Sequence, residues 1–302
     1  MLSDPDKRLL AEFVDREKPL KRFCELLESP QKHIMVVWGE SGIGKSSLML
    51  RMMHECAQRK LRKAEVVCKE TRSNDYMAIM RKIRDDAGVD HFKPFTDLVN
   101  FLTDPDYKPR FELNVNLSTG GPVSVAAGAV ISGSRLGDMA GAIIKDSMFV
   151  LPRTDMAMPE AERMVRLTER FINGLKQAVQ GGPLVVFIDG SEKIASGTQE
   201  WLWNELLYAV RDGSLTNVKF VLCGQTSPAL DRDWRLLVEE AELKPLSLDH
   251  IVAYLAKRNV DEPSRQALAT FLLANTKGKI SLIAEQVDAF LRLQDQMKSD
   301  DD

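Results

Sequence analysis

Apolar positions along this 302-residue chain fall into two kinds of run. Ile34-Met35-Val36-Val37-Trp38, Leu184-Val185-Val186-Phe187-Ile188 and Val218 to Cys223 are short and continuous, the signature of strands buried on both faces of a parallel sheet. Between them the apolar residues recur at helical spacing. Leu20, Phe23, Leu26 and Leu27 line one face of residues 17–28, and Ala161, Met164, Leu167, Phe171, Leu175 and Ala178 line another segment, with Pro159 at an early helix position. Further helices are predicted from the loop after Trp38 through about Arg62, over Asp75–Asp86 and Thr96–Leu102, near 198–211, and from Leu248 onward. A short strand is predicted at Glu65–Cys68. Apolar strands alternating with amphipathic helices predict an α/β fold around a parallel sheet.

The middle of the chain departs from this pattern. Phe111, Leu113, Val115 and Leu117 alternate with Glu112, Asn114 and Asn116, and STGG then turns into Pro122-Val123-Ser124-Val125, which predicts an inserted β-hairpin. Residues 126–144 are rich in Gly, Ala and Ser and read as a loop. Composition changes the picture little. A net charge of −3 gives no global reason to expect nucleic acid as a partner. The basic run Arg59-Lys60-Leu61-Arg62-Lys63 is expected to end the helix that starts after the glycine loop, where cations favour the negative dipole end. Cys24, Cys56, Cys68 and Cys223 stand singly, as buried small hydrophobes do in a reduced interior. With neither a signal-like start nor an apolar run long enough to span a bilayer, a cytoplasmic location without membrane contact is expected. The four histidines are dispersed. Trp201 and Tyr208, seven apart, are expected to share a core-facing helix side.

The chemistry starts at GESGIGKS, residues 39–46, which fills every defined position of GxxxxGK[ST]. Such a match arises by chance about once in a hundred chains of this length, and less often between a strand and a helix. Gly39, Glu40, Ser41, Gly42, Ile43 and Gly44 would turn successive N–H groups inward around phosphates. Lys45 would neutralise them, and Ser46, followed by Ser47, would place a hydroxyl on Mg²⁺ at a helix N-terminus. The partner acid of such a site belongs at the end of another buried strand. PLVVFIDGSEKI supplies Asp189 as a second metal ligand and Glu192, three residues on, to polarise the attacking water.

FVDREKPLKRF ahead of the loop, FIDGSEK, VKFVLCGQTSP and LKPLSLDHIVAYLAKRN appear in an order that resembles the STAND class of P-loop NTPases, signal-transduction ATPases with numerous domains. The resemblance implies ATP rather than GTP. It nominates Val14 and Arg16, with Glu17 weaker, as residues near adenine and ribose. Asp189-Gly190, in place of an adjacent Asp-Glu, points away from an AAA+ motor. Gln225 stands where many members carry an arginine, and a glutamine hydrogen-bonds phosphate or water without neutralising charge. Ile280, in Thr276-Lys277-Gly278-Lys279-Ile280, stands where the family has proline.

The expected fold is therefore a three-layer P-loop NTPase core with an ASCE-type parallel sheet in residues 1–246, carrying the inserted hairpin, and a helical lid in 247–302. The expected activity is ATP binding and slow hydrolysis used as a switch, with Lys45, Asp189, Glu192 and Gln225 in the chemistry. A separate effector or sensor protein, or a second copy of the chain, is the expected partner, in signalling or defence; nucleic acid is not. The alternatives are a DNA-handling ATPase resembling origin-recognition proteins and a nucleotide-binding scaffold with little or no turnover.

Overall fold

A computed structural model describes residues 10–68, 74–104 and 159–300. The hairpin and the glycine-rich loop expected between 111 and 144 lie outside the described residues. Contacts divide the chain into two compact units, one made of residues up to Lys93 and from Thr168 onward, the other of Pro94–Leu167. In the smaller unit, most of helix α4 (Lys93–Thr103) buries Phe95, Leu98 and Val99 along one side.

The larger unit is built on five parallel strands: β1 (Ile34–Trp38), β2 (Arg62–Val67), β3 (Leu184–Asp189), β4 (Val218–Gly224) and β5 (Val238–Glu242). Their order is β2-β3-β4-β1-β5, so β4 stands between the strand that enters the glycine loop and the strand that ends in Asp189. This is a three-layer α/β P-loop fold of the ASCE type. Val36 pairs with Leu222, Trp38 with Gly224, and Asp189 with Cys223. That register brings the three strand exits level at the carboxyl edge, where ligands of open α/β sheets bind.

One face of the sheet is covered by α1 (Glu17–Glu28) and α2 (Lys45–Gln58). Phe23 and Leu26 of α1 and Met49, Met52 and Met53 of α2 pack on Met35, Val37, Val185, Phe187, Val221 and Cys223. Among the described residues, α3 (Tyr76–Ala87), capped by the Asp75 carboxylate accepting from the Ala78 N–H, and α5 (Glu160–Ala178) also precede β3. After β3 come α6 (Ser196–Trp201), a π-helical turn over Leu202–Leu206 and α7 (Tyr208–Arg211); α8 (Arg232–Leu237) leads into β5. Helices α9 (Leu248–Lys257), α10 (Glu262–Thr276) and α11 (Ile280–Asp300) form a separate apolar cluster around Ile251, Tyr254, Leu255, Leu272, Ile283 and Val287.

Two local expectations are corrected. Helix α2 ends at Gln58, and Arg62 and Lys63 belong to β2, so the basic run does not close the helix. Lys60 adopts a left-handed φ of 56°, which stops the helix one residue after its C-cap. Trp201 is buried while Tyr208 is exposed, because the Leu207 N–H reaches back five residues to the Leu202 carbonyl and the wider turn rotates the later residues off the core face. The VEEAE strand β5 is an addition that the hydropathy pattern did not predict: only Val238 and Ala241 point inward.

Candidate nucleotide-binding site

Strand β1 delivers the chain into the glycine loop under tight steric limits. A Cβ on Gly39 would lie 2.4 Å from Ile43 Cδ1 and 2.6 Å from the Leu243 carbonyl oxygen, so no side chain fits. Gly44 caps α2 at φ 97°, a conformation that strongly favours glycine, and no side chain caps the helix. The first N–H groups of α2 therefore face the loop without intrahelical partners, with the positive end of the helix dipole behind them. Together these features form an anion cradle.

Lys45 Nζ donates to the carbonyls of Gly39, at 2.9 Å, and Glu40, at 2.8 Å. Burial lowers its pKa, opposed by the nearby carboxylates of Glu192 and Asp189. The ammonium is thus tied to the backbone of its own loop, within the field of both acids at the β3 exit. Ser46 Oγ donates to Asp189 Oδ2 at 2.7 Å, joining the loop to the end of β3 across 143 residues of sequence. Beyond Asp189, Gly190 takes a left-handed conformation and a 3-10 turn, Ser191–Lys193, presents Glu192. Glu192 Oε1 accepts from Gln225 Nε2 at 3.3 Å. Its Oε2 is buried and has no hydrogen-bond partner among the described residues.

Beside the loop lies an open cleft lined by Val14, Ile43, Gly44, Ser47, Leu246 and Ile280. Glu12, Phe13, Arg16, Tyr254 and Ala284 also line it. Arg16, almost fully buried, donates through Nη2 to the carbonyls of Ile43 and Lys244, both at 3.0 Å, and through Nη1 to Asp15 at 2.8 Å. Burial lowers its pKa, with Asp15 opposing. Arg16 thus braces the loop against the exit of β5. A second open cleft is lined by Glu192 together with Gln199, Trp203, Gln225 and Thr226.

The residues singled out from sequence converge. Gly39 to Ser47, Asp189, Glu192 and Gln225 meet at one edge of the sheet, and Val14 and Arg16 border the adjoining cleft. Sequence reasoning missed what the segment entering α11 adds. The Ser281 N–H donates to the Gly42 carbonyl at 3.0 Å, and Lys279 Nζ sits 2.9 Å from Glu40 Oε2. The lysines of Lys277-Gly278-Lys279 were the only signal available for this, and nothing in the linear sequence pairs them with residue 40.

Fold and site define a P-loop NTPase of the AAA+ type. The chain belongs to the AAA ATPase domain family, which it matches over residues 12–221. Among solved structures, Cdc6p from Pyrobaculum aerophilum is similar at 15% identity and a TM-score of 0.52, over 94% of this chain and 65% of that one. The chain thus spans just under two thirds of that protein. Domain III of the Thermotoga maritima replication initiation protein DnaA matches at 14% identity and a TM-score of 0.47, over 99% of this chain and 93% of that one. A STAND protein with a tetratricopeptide repeat sensor from Pyrococcus horikoshii matches at 15% identity and a TM-score of 0.44, over 89% of this chain and 28% of that one. Comparison with curated proteins finds no match. Likeness at this level shows the fold and does not separate a STAND switch from a replication-type ATPase, so the expectation against nucleic acid is not supported. No helix among the described residues is long and apolar enough to cross a membrane.

Proposed function

We propose that the chain is an ATP-binding switch with slow hydrolysis, acting on a separate protein or through self-association. The observation that carries this reading is the 2.7 Å hydrogen bond from Ser46 to Asp189, which sets a hydroxyl and a carboxylate side by side at the mouth of an anion cradle. Two hard oxygen donors from the protein, with the rest from water and phosphates, fit Mg²⁺, which seldom has an all-protein cage. Among the described residues no group of three or more His, Cys, Asp or Glu is arranged to hold a metal. Bound there, Mg²⁺ would neutralise charge on the phosphates.

The protein groups divide the remaining work. The amides of the loop and of the first turn of α2 bind phosphate oxygens, and Lys45 leaves its carbonyl partners to neutralise them. Glu192 Oε2, desolvated and unpartnered, accepts a hydrogen bond from the attacking water, while Gln225 fixes the other oxygen. Val14, Ile43, Leu246 and Ile280 give the cleft apolar walls for a purine. ATP over GTP follows the STAND resemblance. Slow turnover follows from Gln225, which brings no positive charge to the transition state.

Phosphate release from ATP and Mg²⁺ by the purified chain, abolished by chelating the metal, is the expected result. Retained nucleotide binding with no turnover would replace this reading with that of a scaffold. The DNA-handling alternative predicts duplex binding that weakens steeply with salt, and a titration at two salt concentrations separates it from a protein-directed switch.

A further inference from the structure

We propose that Glu40 is a built-in competitor for the phosphate site, holding in an ion pair the Lys279 ammonium that bound phosphates take over. The proposal rests on the nucleotide-binding reading above and adds a control on that site. A carboxylate inside a phosphate loop is electrostatically adverse, because the loop exists to concentrate positive potential. Glu40 nevertheless occupies its second position and occupies two lysines. Its carbonyl accepts from Lys45 Nζ at 2.8 Å, and its carboxylate lies 2.9 Å from Lys279 Nζ.

Lys279 is anchored where it can serve either anion. The Leu246 N–H donates to the Gly278 carbonyl at 2.8 Å, and the Lys279 N–H to the Thr276 carbonyl at 3.1 Å. On its other side the Ser281 N–H holds the Gly42 carbonyl, and a Cβ on Gly42 would lie 2.4 Å from Ser281 Oγ. The backbone of residues 278–281 is thus fixed against the loop while the lysine head stays free to choose a partner. Hydrogen bonding and charge from Lys279, with a smaller contribution from Lys277, hold the Glu40 carboxyl below the usual carboxylate range. The pair is solvent-exposed, so its strength corresponds to no more than about fivefold in an equilibrium constant, and it weakens with salt. That is weak enough for a polyphosphate to displace and large enough to raise the concentration at which the site fills.

The test is calorimetric titration of ATP with Mg²⁺ into the full chain, its Glu40→Gln and Lys279→Met variants, and the double variant, at low salt. Competition predicts that Glu40→Gln tightens binding about three- to fivefold. It further predicts that Lys279→Met costs about twofold in the parent and about tenfold in the Glu40→Gln background, where the lysine no longer has to leave a partner. If Lys279 only neutralises Glu40, the Lys279→Met loss disappears in that background. A loss there equal to or smaller than the parent's overturns the proposal. A parent that binds no ATP overturns the nucleotide reading together with it, whereas binding that depends on Lys45 without the expected coupling overturns the competition alone.

Discussion

The two edges of the sheet treat charge in opposite ways. At the amino edge, Lys219 of β4 is buried, yet its ammonium donates to the carbonyls of Ser29 and Lys32, both at 2.6 Å, and faces His33 Nδ1 at 3.5 Å. Backbone bonds close that edge further: the His33 N–H goes to Leu237, the Phe220 N–H to His33 and the Leu184 N–H to Asn217. At the carboxyl edge, the opposite end of the same strands, Glu192 Oε2 is buried with no hydrogen-bond partner among the described residues and Lys45 rests on loop carbonyls that a stronger anion can replace. Groups satisfied by backbone specify the fold, and groups left available are where ligand binding gains energy. Substitutions at the carboxyl edge should therefore change function with little effect on stability, and those at the amino edge the reverse.

The largest effect is expected from Glu192→Gln, which keeps the side chain's size and its contact with Gln225 but removes the proton acceptor. Steady-state ATP turnover should fall by about 10²- to 10⁴-fold, with nucleotide affinity within about threefold of the parent. Unchanged turnover would show that another group orients the water. Next comes Lys45→Ala, which removes a charged donor. Affinity for a fluorescent ATP analogue should drop about 100-fold, or ~3 kcal/mol, while the urea midpoint stays close to the parent's. A large loss of stability would show that Lys45 acts mainly as a brace for its loop.

Lys219 tests the other edge through pH. Burial lowers its pKa from 10.5 to about 8 in the folded chain. Between pH 8 and 10.5 the unfolded chain holds a proton on this lysine that the folded chain does not, so stability from this group rises with pH across that window and is lost again as pH falls through 8. The total is on the order of 3 kcal/mol. Its neighbour His33, lowered by burial and by Lys219, titrates below the window. Buried thiols pull the opposite way, since Cys68 is raised to about 11 and Cys56 to about 12. The measurement is therefore the difference in unfolding free energy between parent and Lys219→Met at each pH. A flat difference from pH 8 to 10.5 would remove the buried charge from the account of this edge.

How much of this contrast was legible in sequence depends on whether the cause was local. Strands β1, β3 and β4 are apolar apart from Lys219 and the exit residue Asp189, and they are buried on both faces, so near-continuous runs reported them directly. Strand β5 is an edge strand whose Glu239 turns outward to Lys32 and Arg22, and its two buried residues leave no readable period. The glycine loop and the acids after β3 are linear motifs, so their residues could be singled out from sequence, and the fold brings them to one edge of the sheet. Arg16 came from a family resemblance, and its hydrogen bonds to Ile43 and Lys244 depend on three segments far apart in sequence. The same holds for Lys279 on Glu40 and for Lys219 under the α1–β1 turn. A π-turn of five residues was enough to separate Trp201 from Tyr208, because its i to i+5 bonding leaves no mark in hydropathy.

The smallest expected effect gives the finest comparison, because one methyl group can be added at either edge. Gly224 ends β4 at the carboxyl edge without a left-handed φ, but its Cβ would lie 2.5 Å from Ser191 Oγ and 3.6 Å from Glu192 Oε2. Gly224→Ala must therefore displace the Ser191 hydroxyl, in the turn that carries Glu192. A displacement well under 1 Å there should lower turnover about tenfold, with the unfolding free energy within about 1 kcal/mol of the parent. Gly182, just before β3 at the amino edge, is the mirror case: its φ is 129° and nothing lies within 4 Å of an added Cβ. Gly182→Ala has room but a strained backbone, so it should cost about 1 kcal/mol of stability and leave turnover unchanged. If both variants lost turnover equally, or both lost only stability, the division of labour between the edges would fail, since the same methyl would then act without regard to which charges it meets.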